Sequence, residues 1–364
     1  MMRSLAAICI TAFAAAAAAD DEPAFGGKPA SGWVEMLQKD ASPRKREGAA
    51  LALTQIGTTS KHCLPALKLA LREDKSPNVR RRIVGAFGGV KREEVGPLVA
   101  DISDALRRDA DASVRAAAAT VLGQLDAAAK PALPVLLGAL KDADVVTRAA
   151  SAEAVGRIGI EAASGAPDLL SLLSDPDKSV RLYAAFALGR IGAGESAVGG
   201  LAPMLRSDKA PEVRREVARS LGLLGADAKS AVTDLATALI NDEAVEVRRE
   251  VVLAIIRMGP FADRAGDQIV KAMQADKDIS VRAYAVRAIV AIKGAGAKDF
   301  VPVMAAALDK EEVGDVKLAL VEELGAMGPA ALPAVAALMG AQKDPQVLIR
   351  DAATAALKKV RAKP

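Results

Sequence analysis

The sequence predicts an all-α fold, an α-solenoid (superhelix) of about ten stacked helix pairs, and three observations carry that reading. A basic residue recurs at Arg46, Arg80, Arg115, Arg148, Arg181, Arg214, Arg248, Arg282, Lys317 and Arg350, at separations of 33 to 35 residues. Apolar residues recur one before these positions and three, four, seven and ten after, as Val180, Ala184, Ala185, Leu188 and Ile191 do around Arg181. At ~100° per residue these positions fall within an arc of ~140°, one face of a helix. Six residues before each basic position stands an acid: Asp40, Asp74, Asp109, Asp142, Asp175, Asp208, Asp242, Asp276, Glu311 and Asp344.

Composition agrees. The 364 residues are 51% hydrophobic but only 2% aromatic, so alanine, leucine and valine supply the apolar content and let helices approach closely. A charged fraction of 26% without a polar tract argues against disorder.

Taken in order, the chain opens with "MMRSLAAICITAFAAAAAADDEP": one positive charge at Arg3, an apolar run from Leu5 to Ala19, and three alanines before Asp20. This is the layout of a secretory signal peptide over residues 1–19, and it implies export to the periplasm or beyond. The alternative, an uncleaved anchor, needs ~20 strongly apolar residues, and this run is shorter and alanine-rich. Residues 20–30 read as a flexible lead-in and residues 31–364 as the solenoid. Removing Arg3 leaves 48 basic against 45 acidic residues, a net charge of +3. That near-balance, the export signal and the scarcity of stacking aromatics exclude a nucleic-acid surface. Cys9 would leave with the signal, so Cys63 has no disulfide partner and reads as a buried, inert thiol.

Within each unit the arginine-bearing helix has a marked start. Four residues before the arginine stand Ser42, Ser76, Asp111, Asp144, Asp177 and Asp278, suited to N-caps. Pro43, Pro77 and Pro211 occupy the first helical position. Gly57, Gly159, Gly192, Gly225, Gly259 and Gly328 mark the end. A shorter helix, often opened by proline as in "KPALPVLLGALKD" (130–142), leads into the next unit. Such a pair cannot bury its apolar face alone, but stacked pairs can.

The arginine lies inside the buried arc, in a first turn where the helix dipole disfavours a cation. Unpaired, it would cost ~3–5 kcal/mol. The acid six residues earlier, in the turn between the two helices, supplies the partner within a unit or to the next. The twenty residues therefore predict a structural ladder and not a catalytic set.

The unit "ALPxLLxxLxDxDxxVRxxAAxALGxIG" resembles a HEAT repeat in the short bacterial form also called PBS-lyase-type HEAT-like. The resemblance implies an armadillo-like helical architecture in which the recurring aspartate and arginine bond between repeats. The lead "GGKPASGWVEMLQKD" (26–40) is similar to the entry segment of exported bacterial proteins of this kind, with Trp33, Met36 and Leu37 in a capping first helix. Departures gather at the far end. Lys317, with Glu311, loses bidentate geometry. Ile256, Val290 and Lys358 replace the glycine found eight residues after the arginine in six other units, so the eighth to tenth units are expected to pack less regularly.

Catalytic chemistry is thin, and no metal or cofactor is expected. His62 is the one histidine, so a histidine-ligated metal site is excluded. His62 and Cys63 are adjacent and do not face one another on a helix. The Gly-x-Gly stretches at 192–200 and 294–300 follow helices, unlike a Rossmann phosphate loop. Among enzymes that share the architecture, deoxyhypusine hydroxylase needs His-Glu pairs that are absent here. HEAT-like alkylpurine DNA glycosylases need aromatics and a basic face. A bilin-lyase-like activity and an architectural role in the envelope are the alternatives carried.

The main expectation is a non-catalytic protein-interaction scaffold of the bacterial cell envelope or extracellular space. Residues opposite the core arc should line an exposed face: Glu47, Leu51, Gln55; Ala150, Glu153, Arg157; Tyr183, Phe186, Arg190; Glu216, Arg219, Leu223; Glu250, Leu253, Arg257; Tyr284, Arg287, Ala291. Of these, Arg157, Tyr183, Phe186, Arg190, Arg219, Arg257, Tyr284 and Arg287 are the candidate partner-binding residues. Tyrosine and arginine favour binding hot spots, and such a patch suits an acidic peptide or anionic polymer.

Overall fold

Each arginine-bearing stretch folds as a helix that begins three residues before the basic position. The acid six residues before that position explains why. Its side chain accepts the backbone N–H of the residue two further on, as in Asp74 to Ser76 (2.8 Å), Asp208 to Ala210 (2.9 Å) and Asp344 to Gln346 (2.9 Å). Helices therefore start even where the cap residue is Ala210 or Ala244, which has no side-chain oxygen. Asp111, Asp144, Asp177 and Asp278 also cap with their own side chains, whereas Ser42 and Ser76 hold the cap position without a side-chain bond.

The computed structural model describes residues 22–58, 60–90 and 95–362. The expected signal peptide at 1–19 lies outside the described residues, as does Lys363. The chain divides into two units, up to Ala162 and from Ala163. The first holds α1 (Ala30–Lys39), α2 (Pro43–Gly57), α3 (Leu64–Glu73), α4 (Pro77–Gly88), α5 (Gly96–Arg108), α6 (Ala112–Gln124), α7 (Leu133–Ala139) and α8 (Val145–Ile158). The second holds α9 (Ala166–Leu172), α10 (Lys178–Leu188), α11 (Glu195–Ser207), α12 (Pro211–Leu224), α13 (Val232–Asn241), α14 (Val245–Met258), α15 (Gly266–Ala275), α16 (Ile279–Lys293), α17 (Val301–Lys310), α18 (Gly314–Ala326), α19 (Val335–Ala341) and α20 (Val347–Val360). Even-numbered helices carry the ladder arginine or lysine. This is an all-α solenoid of helix pairs.

The only strands among the described residues are β1 (Ala24–Phe25) and β2 (Lys28–Pro29), an antiparallel pair across Gly26 and Gly27. This hairpin lies within the expected lead-in at 20–30, of which residues 22–30 are described. Both glycines take positive φ, which lets two residues close a hairpin. Trp33 then donates its indole N–H to the Phe25 carbonyl (3.0 Å), and Lys28 sits 4.8 Å over the Trp33 ring. Leu37 is fully buried, while Trp33 and Met36 are half-buried.

The core runs along the predicted arc. In α14, Val247, Val251, Val252, Ile255 and Met258 are all buried, as are their counterparts in and beyond α10. Close approach of consecutive even-numbered helices depends on the glycine eight residues past the arginine. A Cβ on Gly189 would meet Ser220 at 2.6 Å, and one on Gly222 would meet the Ala254 backbone at 2.7 Å. The predicted terminating glycines take positive φ after α8, α10, α12, α14 and α18. Asp126 occupies the same place after α6 with φ 49°, the one non-glycine residue at positive φ among those described.

Candidate protein-binding face

The ladder defines one edge of each unit. Arg46 donates Nε and Nη2 to the Asp74 carboxylate at 2.7 and 2.8 Å, and Nη1 to the Asp40 backbone carbonyl at 2.9 Å. The guanidinium thus joins the next repeat by side chain and its own repeat by backbone. The two-nitrogen contact recurs from Arg80 to Asp109, Arg115 to Asp142, Arg181 to Asp208, Arg214 to Asp242 and Arg248 to Asp276, at 2.7 to 3.0 Å. Arg282 reaches Glu311 less tightly, at 3.1 and 3.2 Å. Lys317 makes one bond to Asp344, at 2.7 Å. Arg148 and Arg350 donate Nη1 to the carbonyls of Asp142 and Asp344 at 2.8 Å. Asp175 does the same service for Arg181 at 2.9 Å, and Asp276 for Arg282. Every described carboxylate in this set is spoken for, which leaves no free acid along the edge for general acid–base work.

Cys63, the sole free cysteine described, is buried, and burial pushes its thiol up, away from the reactive thiolate. His62 beside it is exposed. Among the described residues no group of three metal-ligating side chains comes together.

The face opposite the core differs between the units. In the first, Glu47, Leu51, Gln55, Arg81 and Arg82 line a groove of about 620 Å³ between α2 and α4. Arg157, on α8, donates Nε and Nη2 to Glu153 at 3.0 and 2.8 Å. Ala150 is buried against expectation, its methyl small enough to tuck between helices.

In the second unit Tyr183 and Phe186 meet edge to face, centroids 6.5 Å apart, and Arg190 lies 4.6 Å over the Phe186 ring. Tyr183 and Phe186 are on α10 and partly buried, and Arg190, in the turn just past it, is exposed. The next two helices bring a correction. Glu216 and Glu250, expected on the exposed face, are 6% and 7% exposed. Arginines fold over them: Arg219 donates to Glu216 (3.4 Å) and to Glu250 (3.1 Å), and Arg257 donates to Glu250 (2.9 Å).

The two carboxyls are treated differently by this arrangement. Burial pushes Glu216 up; Arg219, Arg215 and Arg190 only partly offset it, and neighbouring Glu250 adds to it. One Glu216 oxygen is buried without a hydrogen-bond partner. Burial would raise Glu250 too, but the hydrogen bonds from Arg219 and Arg257 outweigh it and hold it below the ordinary value. On α16, Tyr284 is half-buried and Arg287 is exposed. The structure therefore joins Phe186 with Arg190, and Arg219 with Arg257 through Glu250. Sequence reasoning missed the glutamates' role because their position lies on the polar side of the helical wheel, and only the neighbouring helix encloses them.

HEAT repeats match the sequence at residues 99–165, 166–256 and 200–274. No curated protein sequence matches the chain. Among solved structures, a chain from the complex in which Kap95p binding switches the loops of RanGDP aligns with a TM-score of 0.61 at 14% identity, over 90% of this chain and 50% of that one. Importin beta, crystallised in ammonium sulfate, aligns with a TM-score of 0.52 at 14% identity, over 90% of this chain and 57% of that one. The chain spans about half the length of these solenoids, and the likeness shows the fold. This chain thus carries HEAT repeats, matched by sequence within residues 99–274, and paired helices of the same kind continue through the other described residues.

Proposed function

We propose that this chain is a non-catalytic scaffold that holds a protein or peptide partner on the exposed face of its even-numbered helices, in the unit from Ala163 onward. HEAT solenoids are commonly protein-interaction scaffolds, and that fold is typically non-enzymatic. The observation that carries the reading is the Arg190–Phe186 stack with Tyr183 against its edge. It is a rigid aromatic and cationic surface at the positions where such solenoids offer side chains to a partner. The opening segment supports a site of action in the bacterial cell envelope or outside the cell.

The test replaces Tyr183, Phe186 and Arg190 together by alanine. Cross-linking in the producing cell should lose its protein adduct while helical circular dichroism is retained. An unchanged adduct would show that the partner sits elsewhere. Export is checked separately by N-terminal sequencing of the secreted protein, with Asp20 expected as the first residue.

A further inference from the structure

Four consecutive repeats each present one arginine from this face: Arg190 in the turn just past α10, Arg219 on α12, Arg257 on α14 and Arg287 on α16. None belongs to the ladder. Arg219 and Arg257 keep 43% and 38% of their side chains exposed although both are tethered from beneath by buried glutamates. A guanidinium carries five N–H donors in a planar fork. The bonds to Glu216 and Glu250 use two donors of Arg219 and one of Arg257, and both side chains remain partly exposed.

Glu250 has both oxygens engaged, one by each arginine, and so fixes the two forks relative to each other. The Arg190 fork is held differently, 4.6 Å over the Phe186 ring. Restrained, half-exposed guanidiniums suit bidentate capture of carboxylates, because little side-chain freedom remains to be lost on binding. Glu216 and Glu250 lie beneath Arg219 and Arg257, and Glu323 acts on Arg287, so four arginines face three glutamates and the row keeps a positive excess.

The row has a spacing. Packed helices lie ~8–10 Å apart, and a peptide extended as polyproline II rises ~3.1 Å per residue with three residues per turn, which returns every third side chain to the same side. Three residues of extended peptide therefore span one repeat. From this we propose that the face binds an extended acidic segment with a carboxylate at every third residue, one to each of Arg190, Arg219, Arg257 and Arg287. The proposal rests on the scaffold reading above and names the chemistry of its partner. Glu250 serves in it as a positioning residue, since it holds two forks without meeting the partner.

The probe is a fluorescein-labelled twelve-residue peptide, Asp-Gly-Ser repeated four times, titrated by fluorescence anisotropy against the whole chain. A peptide of the same composition with its four aspartates contiguous is the control. The spaced peptide is expected to bind at least about fivefold more tightly than the contiguous one, with affinity falling as salt rises. Arg190→Ala with Arg287→Ala should weaken it about tenfold without moving the melting temperature, because both side chains are exposed. Glu250→Gln should weaken it while leaving helicity intact.

Equal affinity for the two peptides would overturn the proposal. So would tighter binding of a single-stranded oligonucleotide of the same charge. A photoreactive residue in place of exposed Leu223 separates this outcome from failure of the scaffold reading. A protein cross-linked there through a segment without acids would leave the scaffold standing and the acidic ligand refuted.

Discussion

Asp208 is the position where the ladder is most open to a quantitative test. Its side chain is 3% exposed and accepts both Arg181 bonds, at 2.7 and 3.0 Å, and the Ala210 N–H at 2.9 Å. Asp208→Ala removes all three acceptors. All three bonds are charge-assisted, since the acceptor is a carboxylate, and at ~1.5 kcal/mol each they set a gross loss of at least ~4–5 kcal/mol. Arg181 is 16% exposed and keeps its Nη1 bond to the Asp175 carbonyl, so some of its charge remains solvated. The expected net cost is ~3 kcal/mol, at the lower end for one member of a buried pair left alone. Urea unfolding followed by circular dichroism measures it. Hydrogen exchange should show lost protection in α10 and α12 before the helices from α16 onward, since a solenoid couples nearest neighbours. Replacing the pair together, Arg181→Met with Asp208→Leu, should recover most of the loss, because neither charge is then stranded. A single-variant cost below ~1 kcal/mol, or a double variant no better than the single, would refute the view that a buried, mutually dependent pair joins these repeats.

Three further outcomes follow from the same contacts. Burial alone would raise the Asp74 and Asp208 carboxyls, but hydrogen bonds from Arg46 and Arg181 outweigh it; Asp142 is held down chiefly by Arg115. Carboxyls lowered on folding contribute stability above their unfolded value of ~3.9 and lose it as pH falls through the folded one. The ladder's contribution should therefore hold from pH 7 to 5, begin to fall near pH 4 and be lost progressively below it, as followed by melting temperature. Gly222→Ala should cost ~1–3 kcal/mol, because the added methyl would lie 2.7 Å from the Ala254 backbone, whereas Gly138→Ala meets nothing within 4 Å and should stabilise by ~0.5–1 kcal/mol in thermal melts. Asp126→Gly should stabilise by about 1 kcal/mol, since Asp126 stands at φ 49° where other repeats use glycine.

The period, the apolar arc and the terminating glycines were legible because each follows from local geometry repeated many times. The arginine positions fall in the first turn of α2, α4 and their successors, and that much is a matter of counting residues. Which acid each arginine meets was not legible. The spacing of six places Asp40 beside Arg46, yet Arg46 takes the Asp40 carbonyl and the Asp74 carboxylate. Residues 28 positions apart are brought together by stacking, and no single repeat contains that information. The same limit explains Glu216 and Glu250. On an isolated helical wheel both face solvent, and their burial comes from arginines on their own and neighbouring helices. The hairpin before α1 was missed for another reason: Gly26-Gly27 was read as flexibility when two adjacent glycines also form a tight turn.

Glu216 bears on whether the face is shaped by stacking or by recognition. Ala150 and Ala319 hold the equivalent place in other repeats, and both are buried without burying a charge. Glutamate there leaves one oxygen buried and unpartnered, a cost of ~1–3 kcal/mol. Stacking alone has no use for it. Glu216→Ala should then raise stability by ~1 kcal/mol at pH 7, the removed penalty being reduced by the small void left behind. The gain should shrink as pH falls, because a carboxyl pushed up by burial is already protonated there and no longer opposes folding. Urea titrations at pH 7 and pH 4.5 compare the two. A loss of stability at pH 7 would mean that Glu216 supports the stack and that the arginines above it are structural. A gain combined with weaker peptide binding would mark the glutamate as a group retained at the expense of stability for the placement of Arg219.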